Sequence, residues 1–149
     1  MKLRVYLDTS VFSAYLDVRA PERQRDTREF WERLSEFEAA TSEVARQEVM
    51  QLPESPLRRS LLGLLATVTV HSVTADMQEL AQQYIDASLF TARTANDALH
   101  VAAAVLVRAN ALASWNYRHL VNRRQRAAIN NLNASLGLPE LEILPPTEL

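Results

Sequence analysis

The sequence has no cysteine. That removes any disulfide framework and any thiolate zinc site, and it fits a reducing compartment. Glycine is confined to Gly63 and Gly137, and no linker, repeat or low-complexity tract interrupts the chain. Lysine is almost absent too: Lys2 stands alone, so nearly all positive charge is arginine. Arginine is the better bidentate partner for phosphate, although GC-rich coding would produce the same bias. No run approaches the ~20 apolar residues of a membrane span. The longest, "ALHVAAAVLV", reads as a buried helix, and the apolar run in "MKLRVYLD" is too short for a signal peptide. A cytoplasmic protein is the expectation.

The 149 residues suit one domain, residues 1–149, with a sizeable core. The net charge of −2 argues against coating nucleic acid by bulk charge. It leaves room for a local basic patch, because salt-sensitive binding depends on the phosphates contacted.

Short β-like segments alternate with helical ones. "LRVYL" (3–7), "EAATS", "TVTVHSV", "ALAS" and "LEIL" read as strands. "SVFSAYLDV" reads as a short helix capped by Thr9 or Ser10, and "ERQRD" as a charged loop. "TREFWERLSEF", "EVARQEVMQL", a segment from Pro56, "TADMQELAQQYIDASL" with Thr74 as cap, "TANDALHVAAAVLVRA" and "NRRQRAAINNLNASLG" read as helices. With no hairpin signal, the pattern predicts an α/β fold, a parallel sheet with helices on both faces. Ligands of such folds bind beyond the carboxyl ends of the strands.

Several polar residues fall at that edge or on faces meant for the core. Asp8 follows the apolar run Val5–Leu7 and either caps the next helix or holds something at the sheet edge. Glu48 lies inside the apolar stripe of Val44, Ala45, Val49 and Leu52, where a carboxylate is costly unless paired or bound to metal. The competing account is a partly exposed ion pair with an arginine. Glu43 sits at the helix start, where negative charge suits the macrodipole, and reads as structural. Asp97 opens the most apolar helix, as a first-turn residue or cap, unless Asn96 takes the cap. His100, one turn on, reads as a hydrogen-bonded core histidine rather than a ligand. Asn116 lies just past "ALAS", a turn residue by itself. Together, Asp8, Glu48, Asp97 and Asn116 make an all-oxygen set suited to Mg2+ or Mn2+ and to phosphodiester hydrolysis.

These blocks resemble the PIN-domain ribonucleases, in particular the VapC-like toxins of toxin–antitoxin pairs. The likeness runs from residue 3 to about 145. It rests on "VYLDTSVF", "ATSEVARQEV", "ANDALHVAAA" and "LASWNYRHL", of which "DALHVAAA" is the most specific. It implies a single PIN-like domain and metal-dependent cleavage of RNA, with Asp8, Glu48, Asp97 and Asn116 catalytic. Asp8, Asp97 and Glu48 would hold the ion. Many members carry aspartate at the place of Asn116, so the resemblance implies one firmly held cation and a second that arrives with substrate. It also implies an antitoxin whose C-terminal segment blocks the groove, and a homodimer. Thr9 and Ser10 are expected to hold Asp8, touch phosphate or cap the helix. Arg118, His119, Arg123 and Arg124 are the expected RNA contacts, against the plainer reading of a solvated helix face. Leu52, Leu57 and Leu61 are assigned to the core before any dimer surface.

Two other chemistries fit poorly. An aspartyl phosphatase usually needs a second aspartate two residues after the first, where Ser10 stands. A phosphoreceiver needs a late lysine, and Lys2 is the only one. A PIN-like module that binds without cutting is the rival that remains.

Overall fold

A computed structural model describes residues 1–149. Its centre is a five-stranded sheet in the order β3-β2-β1-β4-β5, with every pair parallel. The strands are β1 (Leu3–Leu7), β2 (Phe37–Ser42), β3 (Thr69–His71), β4 (Ala111–Ala113) and β5 (Glu142–Leu144). The helices are α1 (Thr9–Leu16), α2 (Pro21–Glu32), α3 (Glu43–Met50), α4 (Pro56–Leu65), α5 (Ala75–Asp86), α6 (Ala95–Leu106) and α7 (Arg123–Ser135).

Strand alternation divides the core in two. Val5 and Leu7 of β1 pack with residues of α1 to α4, while Tyr6 packs with α5, α6 and α7. Helices therefore cover both faces, as the alternation of segments predicts. The α6 run from His100 to Val105 is buried throughout, and its alanines let it lie close to the neighbours that Tyr6 and Leu112 also touch.

The chain leaves β1 towards β2 and β3 and returns through α5 and α6 to β4 on the other side of β1. The strand order reverses between β1 and β4, so their carboxyl ends flank a topological switch point. The backbone joins them there: Asp8 N–H donates to Ala113 C=O at 3.2 Å.

Several local expectations change. "ERQRD" is helical, not a loop, because Pro21 at the first position and Glu22 in the first turn start α2 there. The cap of α1 is Asp8, not Thr9 or Ser10. The "VRA" end of the α6 segment leaves the helix, with Arg108 at φ 64°. The stops and starts at Pro56, Thr74 and Gly137 fall as expected; Gly137 takes φ 72°, which favours glycine after a helix end. Leu61 is core, but Leu52 and Leu57 are exposed, since the chain turns away after Met50 and α4 presents only one face inward. No helix is long and apolar enough to cross a membrane.

Candidate active site

Asp8, at the end of β1, is 3% exposed. Its Oδ1 accepts from Ser10 N–H at 3.0 Å and from Ser10 Oγ at 2.5 Å, and its Oδ2 accepts from Ser114 Oγ at 2.6 Å. The carboxylate thus caps α1, the first of the two readings, from a place at the sheet edge. Burial pushes its pKa up, against the pull of His100 and the Ser10 and Ser114 bonds. Ser10 also ties the next strand in, since its Oγ accepts from Trp115 N–H at 2.9 Å.

Glu48 projects from the second turn of α3. Its Oε1 accepts from Thr9 Oγ1 at 2.8 Å and pairs with His100 Nε2 at 2.8 Å. Thr9 therefore serves Glu48, and of the two residues Ser10 alone bonds Asp8. Burial works to raise the Glu48 pKa, but the His100, Thr9 and Asn96 bonds outweigh it and the net direction is down. Glu48 is held in its ionised form, and its close partner is the imidazole rather than the arginine of the competing account. Glu43, at the α3 start, pairs with Arg46 at 3.7 Å, in keeping with a structural role.

Asp97 lies in the first turn of α6, where the helix N-terminus favours negative charge. Thr94 precedes the helix, so Asn96 is not the cap. Burial raises the Asp97 pKa, His100 and His119 oppose it, and the Asp8 and Glu48 charges add to the rise. That mutual repulsion places the three carboxylates in one electrostatic neighbourhood. Asn116 Nδ2 donates to Asp97 Oδ2 at a long 3.4 Å, while Asn116 Oδ1 accepts from His119 N–H at 3.0 Å. Its amide thus presents N–H to the acidic group and its carbonyl to the following turn.

The expected phosphate contacts split. His119 is close enough to act on Asp97. Arg118, Arg123 and Arg124 are exposed, and no acidic partner holds them. Arg93 was not singled out in the sequence. It is exposed and shares a cavity of about 360 Å³ with Glu48, Asn96 and Asp97; its spacing, one turn before Asp97, was the available signal. Ser114 and Tyr6 were also passed over. Each is a hydroxyl in a short buried strand segment, and that was their only mark.

The donor set suits a hard divalent cation. Two buried or half-buried carboxylates, Asp8 and Asp97, have no arginine or lysine partner, and burial raises their pKa values. No three acidic or imidazole side chains are gathered into a ready-made metal-holding group; ions of the Mg2+ type keep waters and take few protein ligands.

The chain matches the PIN domain family over residues 5–120, and it belongs to that family. Among solved structures it is similar to Mycobacterium tuberculosis VapC20, a toxin that cleaves the sarcin–ricin loop. The TM-score is 0.58 at 18% identity, over 91% of this chain and 97% of that one. It is also similar to VapBC2 of Rickettsia felis bound to a promoter DNA fragment, with TM-score 0.56 at 15% identity over 95% and 97%. A toxin–antitoxin complex from Klebsiella pneumoniae gives 0.58 at 15% identity over 81% and 93%. At these identities the likeness is one of fold. A comparison with curated proteins finds no match.

Proposed function

We propose that this PIN-domain protein is a Mg2+- or Mn2+-dependent endoribonuclease and the toxin of a toxin–antitoxin pair. The observation that carries the reading is the group of Asp8, Glu48 and Asp97 at the switch point, where the Asp8 and Glu48 charges both act on Asp97 and no arginine or lysine neutralises the three. Such a group is costly in the free protein and suits a cation that binds with substrate.

Asp97 and Asp8 would hold the ion, directly or through water, with Glu48 completing the set. When bound, the ion would activate water and neutralise charge on the phosphate and leaving oxygen. The chain's own residues do the rest. Ser10 and Ser114 keep Asp8 aimed and favour its ionised form against burial. Asn116 donates to Asp97 and orders the turn that carries His119. His119 acts on Asp97 and Arg93 lines the cavity of Glu48 and Asp97; with Arg118, Arg123 and Arg124 they would position RNA phosphates. The expected partners are RNA, an antitoxin protein and a second copy of the chain, all in the cytoplasm. The antitoxin is supported by the complexes among the similar structures.

The test is incubation of the purified protein, free of antitoxin, with a structured RNA pool in Mn2+ or Mg2+ and in EDTA, beside Asp97→Asn. Cleavage that needs metal and vanishes in the variant supports the reading. The rival, a PIN module that binds RNA or a partner without cutting, takes its support from Asn116, which removes a charge from the group. Binding that survives alanine at Asp8, Glu48 and Asp97, with no cleavage by any form, would favour it.

A further inference from the structure

Glu48 is held from behind by side chains that no step above uses. Ser42 Oγ lies 2.7 Å from the Tyr6 hydroxyl, which lies 2.7 Å from His100 Nδ1. His100 Nε2 lies 2.8 Å from Glu48 Oε1, the oxygen that Thr9 Oγ1 also reaches at 2.8 Å. Tyr6 and Ser42 are fully buried and His100 is 2% exposed.

The proton pattern follows from the end of the chain. An ionised carboxylate only accepts, so His100 Nε2 carries a proton. His100 Nδ1 then accepts from the Tyr6 O–H, Tyr6 accepts from Ser42, and Ser42 Oγ accepts from Val44 N–H at 3.3 Å. This assignment satisfies every polar atom with a neutral imidazole and runs all donors towards Glu48. A carboxylate oxygen has two lone-pair sites, and Thr9 and His100 fill those of Oε1. Neither reaches Oε2, and Glu48 lines a cavity with Asp97 and with Asn96, whose side chain also acts on the Glu48 carboxylate.

We propose that Tyr6, His100 and Thr9 are positioning residues that occupy Glu48 Oε1 and present Oε2 alone to the acidic group. Glu48 then orients a water molecule instead of chelating the cation with both oxygens. The inference rests on the metal-nuclease reading. A neutral donor suits the task better than an arginine, because it aims the carboxylate without cancelling the charge that the cation needs. Partners of this kind behind a metal site typically contribute about 10- to 100-fold in affinity or activity.

The tautomer of His100 is read first, by nitrogen–proton NMR correlation on the whole metal-free protein. The Nε2–H form is expected, and a dominant Nδ1–H form overturns the proposal whether or not the protein cuts RNA. Cleavage in Mn2+ is read second. His100→Leu should lower kcat by about 10- to 100-fold while KM for RNA stays within about twofold. His100→Gln, which keeps a donor facing Glu48, should restore most of the loss. A loss confined to KM, or an equal loss in both variants, overturns the proposal. Should His100→Leu not fold, Tyr6→Phe replaces it at nearly constant shape. Mixed His100 tautomers and a lower kcat are then expected, and a variant unchanged in both overturns the proposal. Wild-type protein without metal-dependent cleavage removes the nuclease reading, and the tautomer then decides the proposal alone.

Discussion

Ser114 Oγ, just past β4, donates to Asp8 Oδ2, just past β1, across 2.6 Å. The bond favours the ionised carboxylate against a burial that disfavours it. Ser114→Ala should therefore raise the Asp8 pKa further, weaken Mn2+ binding and move the acid limb of the cleavage profile to higher pH. A loss of about 10- to 100-fold near neutral pH is expected. Stability should fall by about 1 kcal/mol, because Asn116 N–H also loses its acceptor in Ser114 Oγ. An unmoved acid limb would remove Ser114 from the site.

Asp8→Asn should abolish RNA cleavage and weaken Mn2+ binding without unfolding the domain. An asparagine keeps the α1 cap through its carbonyl and loses the charge together with the acceptor of the Ser114 bond. Calorimetric metal titration beside a thermal melt checks both halves. A folded variant with unchanged activity would end the metal-site reading.

Asp97→Asn should raise the melting temperature of the metal-free protein at neutral pH. The folded pKa of Asp97 lies above its ordinary value, so the folded state binds its proton more tightly than the unfolded chain does. The linked stability is present below the ordinary carboxylate range and is lost as pH rises through the raised value. Melts in EDTA across that range should show the variant ahead at neutral pH and the two converging in acid. Mn2+ should then stabilise the wild type much more than the variant.

Asn116→Asp should do the reverse. It adds a like charge beside Asp97 and removes the Nδ2 donor. The metal-free protein should melt lower, and saturating Mn2+ should recover more stability than in the wild type. A metal-free melting temperature at or above wild type would show that Asn116 does not face the acidic group in solution.

Arg123→Gln combined with Arg124→Gln should raise KM for RNA and leave kcat nearly unchanged. If both arginines contact phosphates, the slope of log affinity against log salt should shrink by about 1 to 1.5. An unchanged slope would return them to a solvated helix face.

Much of this was legible in the chain. Alternating short strands and helices define the α/β class, and Asp8, Glu48 and Asp97 stood out because each breaks a local apolar pattern. "ERQRD" was misread because its charges resemble a loop, while Pro21 at the α2 start carried the opposite signal. Thr9 and Ser10 were both expected near Asp8, but the first turn of a helix points neighbouring side chains in different directions. Ser10 folds back on Asp8, and Thr9 reaches Glu48.

The sequence by itself determined the strand ends, the helix faces and therefore which carboxylates arrive at one edge of the sheet, since these follow from periodicity and local propensity along the chain. Only the tertiary structure decided who holds them. Ser114 on Asp8, His100 on Glu48 and Tyr6 behind His100 are separated by 106, 52 and 94 residues. Such pairings depend on which strands become neighbours and how α6 lies across them, and no local pattern encodes that.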